Sequence, residues 1–504
     1  MPINRRKFLM RGAALTAGAV AGPHMRMLPN TNVSYAAGPG DAIVVFVQLD
    51  GGNDGLNTCY PLNNQQRVDY DLYRPTLGNP ATVGGLSPWA TEGFDTSSGI
   101  LDIGTDSLGD SYALHPAMKA WHDLYQTDEL AIIPGVHYPD PDYSHFRSEA
   151  IYNTGDPLGT GGLGWFGKYL DLAGFGPTEI SGVIMNSELS RLFTPTGTSL
   201  FAFTGLDQLN FPASSLRDEK KAIFRELYAQ SGLLNSAMFP ELTSLGNTGV
   251  ATIDAIEDYY LEGNGNSGMV EALLIDEEGR YRRNNSLVYD SPLNPEVTPA
   301  LDGMRLARDL RHVAATIRAD VGARFFQVRV GGFDTHSNQE QGFYHSYLLQ
   351  EVAEAVGAFY QDMKQTVTMP GGYTGYRAGS LGDKVVIVTF SEFGRTSHQN
   401  AQSANAAGTD HATAGVQFAI GAPAVINSGI DGAHPAIEDP SVDDDDLAMT
   451  HDFRDFYGTL VERWLNVAPA DIGPGAGKIF ASSPDADEHG DDYTAYTPLN
   501  YLKS

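Results

Sequence analysis

The sequence predicts a mixed α/β fold with a central, mostly parallel sheet, helices on both of its faces and an inserted region. Three observations predict it. Short apolar runs, of the kind that fill fully buried strands, recur along the chain. Segments of helical period alternate with them. Several runs end in glycine-bearing loops that carry Asp, Glu or His, and an open parallel sheet binds ligands beyond the carboxyl ends of its strands.

Taken in order, the strands are Ala42–Leu49, Leu130–Pro134, Ile180–Met185, Arg324–Val330 and Lys384–Phe390, with Val416–Gly421 as a sixth, all read as parallel. Helical patterns fall at Ala117–Tyr125, Ser144–Thr154, Met304–Ala319 and Gln341–Met363, and Asp452–Leu465 is an amphipathic closing helix. From about Leu192 to Pro299 the rhythm breaks into mixed, polar sequence with helical patterns at Glu219–Leu233 and Gly249–Glu262. That stretch reads as an insertion or cap over about 192–299, within one domain spanning 41–504.

Composition bounds the function. The 504 residues hold 62 Asp and Glu against 32 Lys and Arg, a net charge of −30, and only 9 of the basic residues are Lys. Such a chain repels phosphate backbones and anionic lipid, so nucleic acid is excluded as a partner. A Lys-poor acidic surface suits high salt, which screens its self-repulsion. The single cysteine, Cys59, excludes an internal disulfide and a Cys-based zinc cluster. Two acid runs, Asp443–Asp446 and Asp485–Asp492, read as solvated loops, with calcium binding the alternative although EF-hand spacing is missing.

The N-terminus carries Asn4-Arg5-Arg6-Lys7-Phe8-Leu9, then a short, weakly apolar stretch from Gly12 to Gly22 that is too short to span a bilayer comfortably. Ser34-Tyr35-Ala36 has small-x-small spacing. The segment 1–36 resembles a twin-arginine (Tat) signal peptide, with cleavage expected after Ala36; the alternative is a disordered basic tail. No other stretch reads as a stable membrane span, so the mature chain is expected in the periplasm or outside the cell after meeting the Tat translocase.

The strand ends carry the chemistry. Asp50 to Thr58 (DGGNDGLNT) offers a carboxylate where a metal ligand would sit, or a simple Gly-Asp turn. Ser144 opens a helix, as an N-cap or as a nucleophile whose developing anion the helix N-terminus stabilises. Asp334 and His336, two residues apart in a glycine-flanked loop, chelate a divalent ion or, respectively, cap the next helix and pack locally. Glu392 follows the strand Lys384–Phe390, and Arg395 clamps an anionic oxygen or pairs with Glu392. Asp410 and His411 place another acid and imidazole in a glycine-rich loop. Apolar strand, glycines, then ligand-type residues is one pattern repeated after different strands, and turns alone explain it poorly.

These segments resemble domain-of-unknown-function family 1501: LDGGNDGLN from Leu49, Ser144-His145-Phe146, Phe333-Asp334-Thr335-His336, Ser391 to Thr396 (SEFGRT) and Gly408-Thr409-Asp410-His411, with Leu114-His115-Pro116 upstream. The family looks like a distant branch of the alkaline phosphatase and sulfatase superfamily. The resemblance implies an alkaline-phosphatase-like sheet, Asp50 as first metal ligand, Ser144 in the nucleophile position and Asp334 with His336 as a later ligand pair. An Asp-His pair is expected after the strand Lys384–Phe390, where Glu392-Phe393 stands. Either Glu392 replaces the Asp and one imidazole is lost, or Asp410-His411 supplies the pair from a displaced loop. Ser144-His145-Phe146-Arg147-Ser148 lacks the maturation motif of formylglycine sulfatases.

The leading expectation is an exported, metal-dependent hydrolase of anionic esters, phosphate before sulfate, acting on a small ester or a sulfated or phosphorylated glycan. Zn, Mn, Ca or Mg would be held among Asp50, Asp334, His336, Glu392, Asp410 and His411. Ser144 or a bound water would attack, while Arg395, His145 and Asn53 would stabilise the non-bridging oxygens. The alternatives are a non-catalytic exported binding or assembly protein on a degenerate fold, and a phosphotransferase or mutase sharing the site.

Overall fold

The structure is a computed structural model of the 504-residue chain. It describes residues 41–77, 100–139, 141–156, 162–175, 180–185, 190–194, 199–202, 305–318, 320, 322–340, 344–366, 377, 379–401, 406–437, 446–475, 477–480 and 493–504. The export segment, Glu219–Leu233, Gly249–Glu262, Asp443–Asp445 and the second acid run lie outside the described residues.

The strands in chain order are β1 Ile43–Asp50, β2 Cys59–Pro61, β3 Leu101–Thr105, β4 Ser111–Leu114, β5 Leu130–His137, β6 Ile180–Ile184, β7 Ser199–Ala202, β8 Phe325–Gly331, β9 Val385–Phe390, β10 Gly394–Arg395, β11 His411–Ala412, β12 Gly415–Ile420, β13 Gly429–Ile430 and β14 His451–Asp452. The helices are α1 Gly55–Thr58, α2 Asn64–Tyr73, α3 Lys119–Gln126, α4 His145–Thr154, α5 Trp165–Leu172, α6 Arg305–Arg318, α7 Tyr344–Lys364 and α8 Phe453–Thr459. The central sheet has the order β13-β5-β12-β9-β1-β8-β6-β7, with β14 added beside β5. β2, β3 and β4 form a small antiparallel sheet, and β10 pairs with β11.

β1 shows why the sheet needs cover on both faces. Successive side chains point to opposite sides of a strand. Ile43, Val45, Val47 and Leu49 join the core that takes in α6, α7 and Trp121, while Val44 and Phe46 join the core of Trp165, Phe166 and Tyr457. All six are at most 2 % exposed, which makes β1 a continuous apolar run rather than an alternating one. Its register runs Val47 to Val328 of β8 and Val47 to Thr389 of β9.

Two expectations change. β12 is antiparallel to both β9 and β5, the one reversed strand of the central sheet among the described residues. A parallel return needs a crossover, usually helical. From Ser391 to Ala414 the described chain forms the β10–β11 hairpin and no helix, so the strand comes back the other way. The closing helix is α-helical only over Phe453–Thr459 and continues as a π-type turn over Leu460–Trp464. Asp452 caps it by accepting a hydrogen bond from the Arg454 N–H at 2.8 Å.

A buried ion pair ties the first loop to the rest. Arg74, at the end of α2, donates from Nη1 to both carboxylate oxygens of Asp54 at 2.9 and 2.8 Å, with the two side chains 0 % and 1 % exposed. Its remaining nitrogens reach the carbonyls of Thr396 and Ser397. Arg74→Met or Asp54→Leu alone leaves a buried charge without its partner and is expected to cost about 3–5 kcal/mol. The double variant should cost clearly less than the two single costs added. Urea denaturation of the four proteins checks this, and strictly additive losses would remove the coupling.

Candidate metal centre

The site is assembled from loops at the carboxyl ends of β1, β8 and β9, the start of α4, and the β10–β11 hairpin. After β1 the chain turns at Gly51 and Gly52, with φ of +118° and +83°. A Cβ on Gly51 would lie 2.3 Å from the backbone nitrogen of Asp334, so only glycine lets the β8 loop close against the β1 loop. A Cβ on Gly52 would meet the Phe393 ring at 2.5 Å.

Three imidazoles converge on Asp334. The Nε2 atoms of His336 and His411 are 2.9 Å apart and each lies 3.1 Å from Asp334 Oδ1. His145 Nε2 is 3.5 Å from Asp334 Oδ2. Each ring is held from behind through Nδ1. His145 donates to Glu392 Oε1 at 2.8 Å, His411 to the Tyr143 carbonyl at 2.7 Å, and His336 to Asp410. Carbonyls and carboxylates only accept, so these contacts put a proton on Nδ1, and the neutral form of each ring keeps its lone pair on Nε2. Three Nε2 lone pairs and a carboxylate so close together repel unless something positive lies among them. His145, Asp334 and His411 form a group able to hold a metal ion, and His336 Nε2 stands against the same carboxylate. The carboxylate–imidazole pairs match the outer-shell partners that orient histidine ligands.

The electrostatics follow the contacts. At Asp334, burial pushes the pKa up, but the hydrogen bond from Arg395, the contact with His411 and the nearby charges outweigh it and hold the carboxyl down at about 2. The Glu392 hydrogen bond raises His145 above its ordinary value. Burial lowers His411 despite its contacts with Asp334 and the Tyr143 carbonyl. At Asp410, burial is outweighed by bonds from His336 and Asn400, and the pKa falls.

The structure brings together His145, Asp334, His336, Glu392, Arg395, Asp410 and His411. Glu392 and Asp410 stand behind His145 and His336, each bonded to an Nδ1. Glu392 Oε1 also accepts from the Gly51 N–H at 2.8 Å, and its Oε2 is buried without a partner. The hairpin brings the His411 imidazole beside Phe393, because Arg395 pairs with His411 across it. The His411 ring lies 4.4 Å from the Phe393 ring, centroid to centroid.

Arg395 is turned onto the protein's own loops. It is 1 % exposed, and its nitrogens go to the carbonyls of Gly51, Gly52, Phe333 and Thr409 and to Asp334 Oδ1 at 2.8 Å. Nor does it pair with Glu392. Asn53 is likewise turned inward: its Oδ1 contacts His345 Nε2 and the Thr58 hydroxyl, both at 3.2 Å. Asp50 pairs with Arg329, whose Nη2 is 2.6 Å from Oδ1, and burial raises its pKa in spite of that bond. Ser144 is exposed at the head of α4, and its side chain makes no capping hydrogen bond. Its own N–H goes to Asp142 Oδ1 at 2.7 Å.

Sequence reasoning gave no role to Arg329, Tyr143 or Arg74. Arg329 had a signal, since it interrupts the apolar run Arg324–Val330 near its end. Tyr143 acts through its carbonyl, which no sequence pattern reports.

Among known proteins, residues 307–463 match the family described as "Protein of unknown function (DUF1501)". That span holds Asp334, His336, Glu392, Arg395, Asp410 and His411, and the match agrees with the resemblance read from the motifs. No curated protein matches the chain. Among solved structures, the lipoteichoic acid synthase LtaP from Listeria monocytogenes is similar with a TM-score of 0.32 and 10 % identity, over 91 % of this chain and 78 % of that one. So loose an overlap carries no functional argument.

Gly51→Ala tests the closeness of the two loops. The left-handed backbone alone should cost about 1–3 kcal/mol, and the clash with Asp334 adds to it. The expected result is a lower denaturation midpoint with altered His336 and His411 ring signals by NMR. Unchanged stability and ring signals would contradict the close packing described.

Proposed function

We propose that this chain is an exported, metal-dependent hydrolase of anionic esters, phosphate before sulfate. The observation that carries the reading is the convergence of three Nε2 atoms on Asp334, with an acceptor behind each ring. The donors fit a divalent cation: metal–ligand bonds of about 2.1 Å set neighbouring ligand atoms roughly 3.0–3.4 Å apart. Asp334, His336, His411 and His145 would hold the ion, and a donor set rich in imidazole favours zinc or a related transition ion over calcium or magnesium. Bound there, the ion supplies Lewis acidity toward the ester oxygens.

The chain's own residues supply the rest. Ser144 is the proposed nucleophile, exposed at the start of α4 and adjacent to His145. Its Oγ attacks the phosphorus, the ester oxygen leaves as the alcohol, and the Ser144 proton passes to solvent. Water then cleaves the seryl ester, releasing phosphate and restoring the hydroxyl. Glu392 and Asp410 position the imidazoles, and Arg395 and Asn53 position the loops rather than touching substrate. Export by the Tat route, supported by Arg5-Arg6 and the weakly apolar stretch behind them, would let the folded chain cross with its ion in place. Among the described residues no helix is long and apolar enough to cross a membrane.

The withdrawal of Arg395 and Asn53 into backbone and buried contacts favours a second reading, a non-catalytic exported binding or assembly protein on the same scaffold.

Elemental mass spectrometry on exported protein, with turnover of p-nitrophenyl phosphate and p-nitrophenyl sulfate, separates the two. A stoichiometric ion is expected, lost in Asp334→Ala and His411→Ala. Asp410→Asn should weaken the ion's affinity by about 10–100-fold. Ser144→Ala should keep the ion and lose turnover. An ion with no turnover of either ester favours the binding protein, and a folded chain without an ion sinks the hydrolase.

A further inference from the structure

Beside the metal centre lies a cavity of about 360 Å³ that none of the proposed chemistry uses. It shares three elements with the centre. On α4, His145 faces Asp334 while Phe146 and Glu149 line the cavity. On β1, Gln48 lines it two residues before Asp50. On β8, Gln327 and Arg329 line it, and the strand then runs on to Asp334. Its size falls at the small end of the roughly 300–1,000 Å³ of small-molecule sites.

We propose that this cavity binds the sugar ring of a carbohydrate ester whose anionic group lies at the metal centre. The proposal rests on the hydrolase reading for the ester and on the lining for the sugar. Planar amide and carboxylate groups that pair with hydroxyls dominate its polar lining: Gln48, Gln327, Asn153 and Glu149. Gln48 and Gln327 are already oriented, since Gln327 Nε2 donates to Gln48 Oε1 at 3.0 Å and Gln48 Nε2 donates to Glu149 Oε1 at 3.2 Å. Two amide oxygens of these residues, Gln327 Oε1 and Asn153 Oδ1, are buried without a hydrogen-bond partner behind the cavity wall, so the hydroxyl contacts fall to the accessible polar atoms of the lining.

The charges suit a neutral polyol. Arg329 is matched by Asp50 at 2.6 Å and Glu149 at 3.4 Å. Counting the lining residue Arg191 as well, two guanidiniums stand against two carboxylates. A second anionic group would find no surplus positive charge there, and it would meet a chain of net charge −30. At the rim, Phe146 is 88 % exposed. A large aromatic side chain left so open beside a polar cavity offers an apolar face to the C–H side of a sugar ring, while the amides take the hydroxyl edge.

Ligand-observed NMR on the full chain tests this without needing turnover. The probes are free neutral hexoses and N-acetylhexosamines together with neutral tri- and tetrasaccharides, and uronic acids serve as anionic controls expected not to bind. At least one sugar is expected to show saturation transfer to its ring protons. Phe146→Ala should weaken that sugar by about tenfold or more, and Phe146→Trp should restore it. Phe146 is exposed, so neither variant threatens the fold. The proposal is overturned if no probe shows transfer, or if Phe146→Ala leaves the affinity unchanged. Turnover of p-nitrophenyl phosphate on the same preparation keeps the two ideas apart. A chain that cleaves the aryl ester and binds no sugar retires the cavity proposal alone, and one that binds a sugar and cleaves no ester retires the hydrolase alone.

Discussion

Arg395 reaches, from one buried side chain, the carbonyls of Gly51, Gly52, Phe333 and Thr409 and the carboxylate of Asp334. Those acceptors belong to three loops that make few regular backbone pairings of their own. Glycine-rich loops are entropically costly to fix, and their buried carbonyls are costly to leave unpaired. One guanidinium, with five donors in a rigid fork, answers both problems. Lysine would offer one ammonium and could not span the same acceptors. Arg74 does the same work one layer back, on Asp54 and the carbonyls of Thr396 and Ser397, and Gln339 adds a bond to Asp54 at 2.6 Å. The geometry at Asp334 therefore depends on arginines that need touch no ligand.

The histidines obey the same logic of support from behind. An imidazole presents a useful Nε2 only if its ring plane and tautomer are fixed. Glu392, Asp410 and the Tyr143 carbonyl fix them here, each from a different loop. Ser391, beside Glu392, locks its own loop by donating to the Leu49 carbonyl at 2.6 Å while accepting from the Asn53 N–H at 2.9 Å. The site is thus a set of cross-linked strand ends, and its precision comes from the sheet register that aligns β1 with β8 and β9.

Much of this was legible in the sequence, and the part that was not has a physical cause. Apolar runs located β1, β5, β6, β8, β9 and β12 to within a few residues because burial on both faces leaves few polar interruptions, while the short strands β2–β4, β7, β10, β11, β13 and β14 carry no such run. Direction was not legible for β12, since strand polarity depends on the connection and not on the run itself. The loops that meet were legible as loops, because glycines and ligand-type residues mark them. The roles within them were less so. Arg395 reads as an anion clamp because its donors are visible in sequence and its carbonyl acceptors are not. His145 reads as an oxyanion donor because its partner, Asp334, is 189 residues away in the chain. Asp50 reads as a ligand from its place after β1, and its pairing at 2.6 Å with Arg329 of the neighbouring strand is not legible in the sequence.

Charge closes the argument. Asp334, Glu392 and Asp410 bring three carboxylates to the centre, and Arg395 brings one fixed positive charge. With the imidazoles neutral the local sum is −2, which a single divalent cation cancels. On the proposed reading, an anionic ester approaching that centre would meet a neutral pocket with its positive charge concentrated at the ion, inside a molecule of net charge −30. The Debye length of about 8 Å at physiological salt, and shorter in brine, confines the repulsion of the distant surface while a partly buried cation is screened much less. On that reading the acidic surface and an anionic substrate would be compatible only through a cation at the centre, and removing the ion should cost substrate binding as well as turnover.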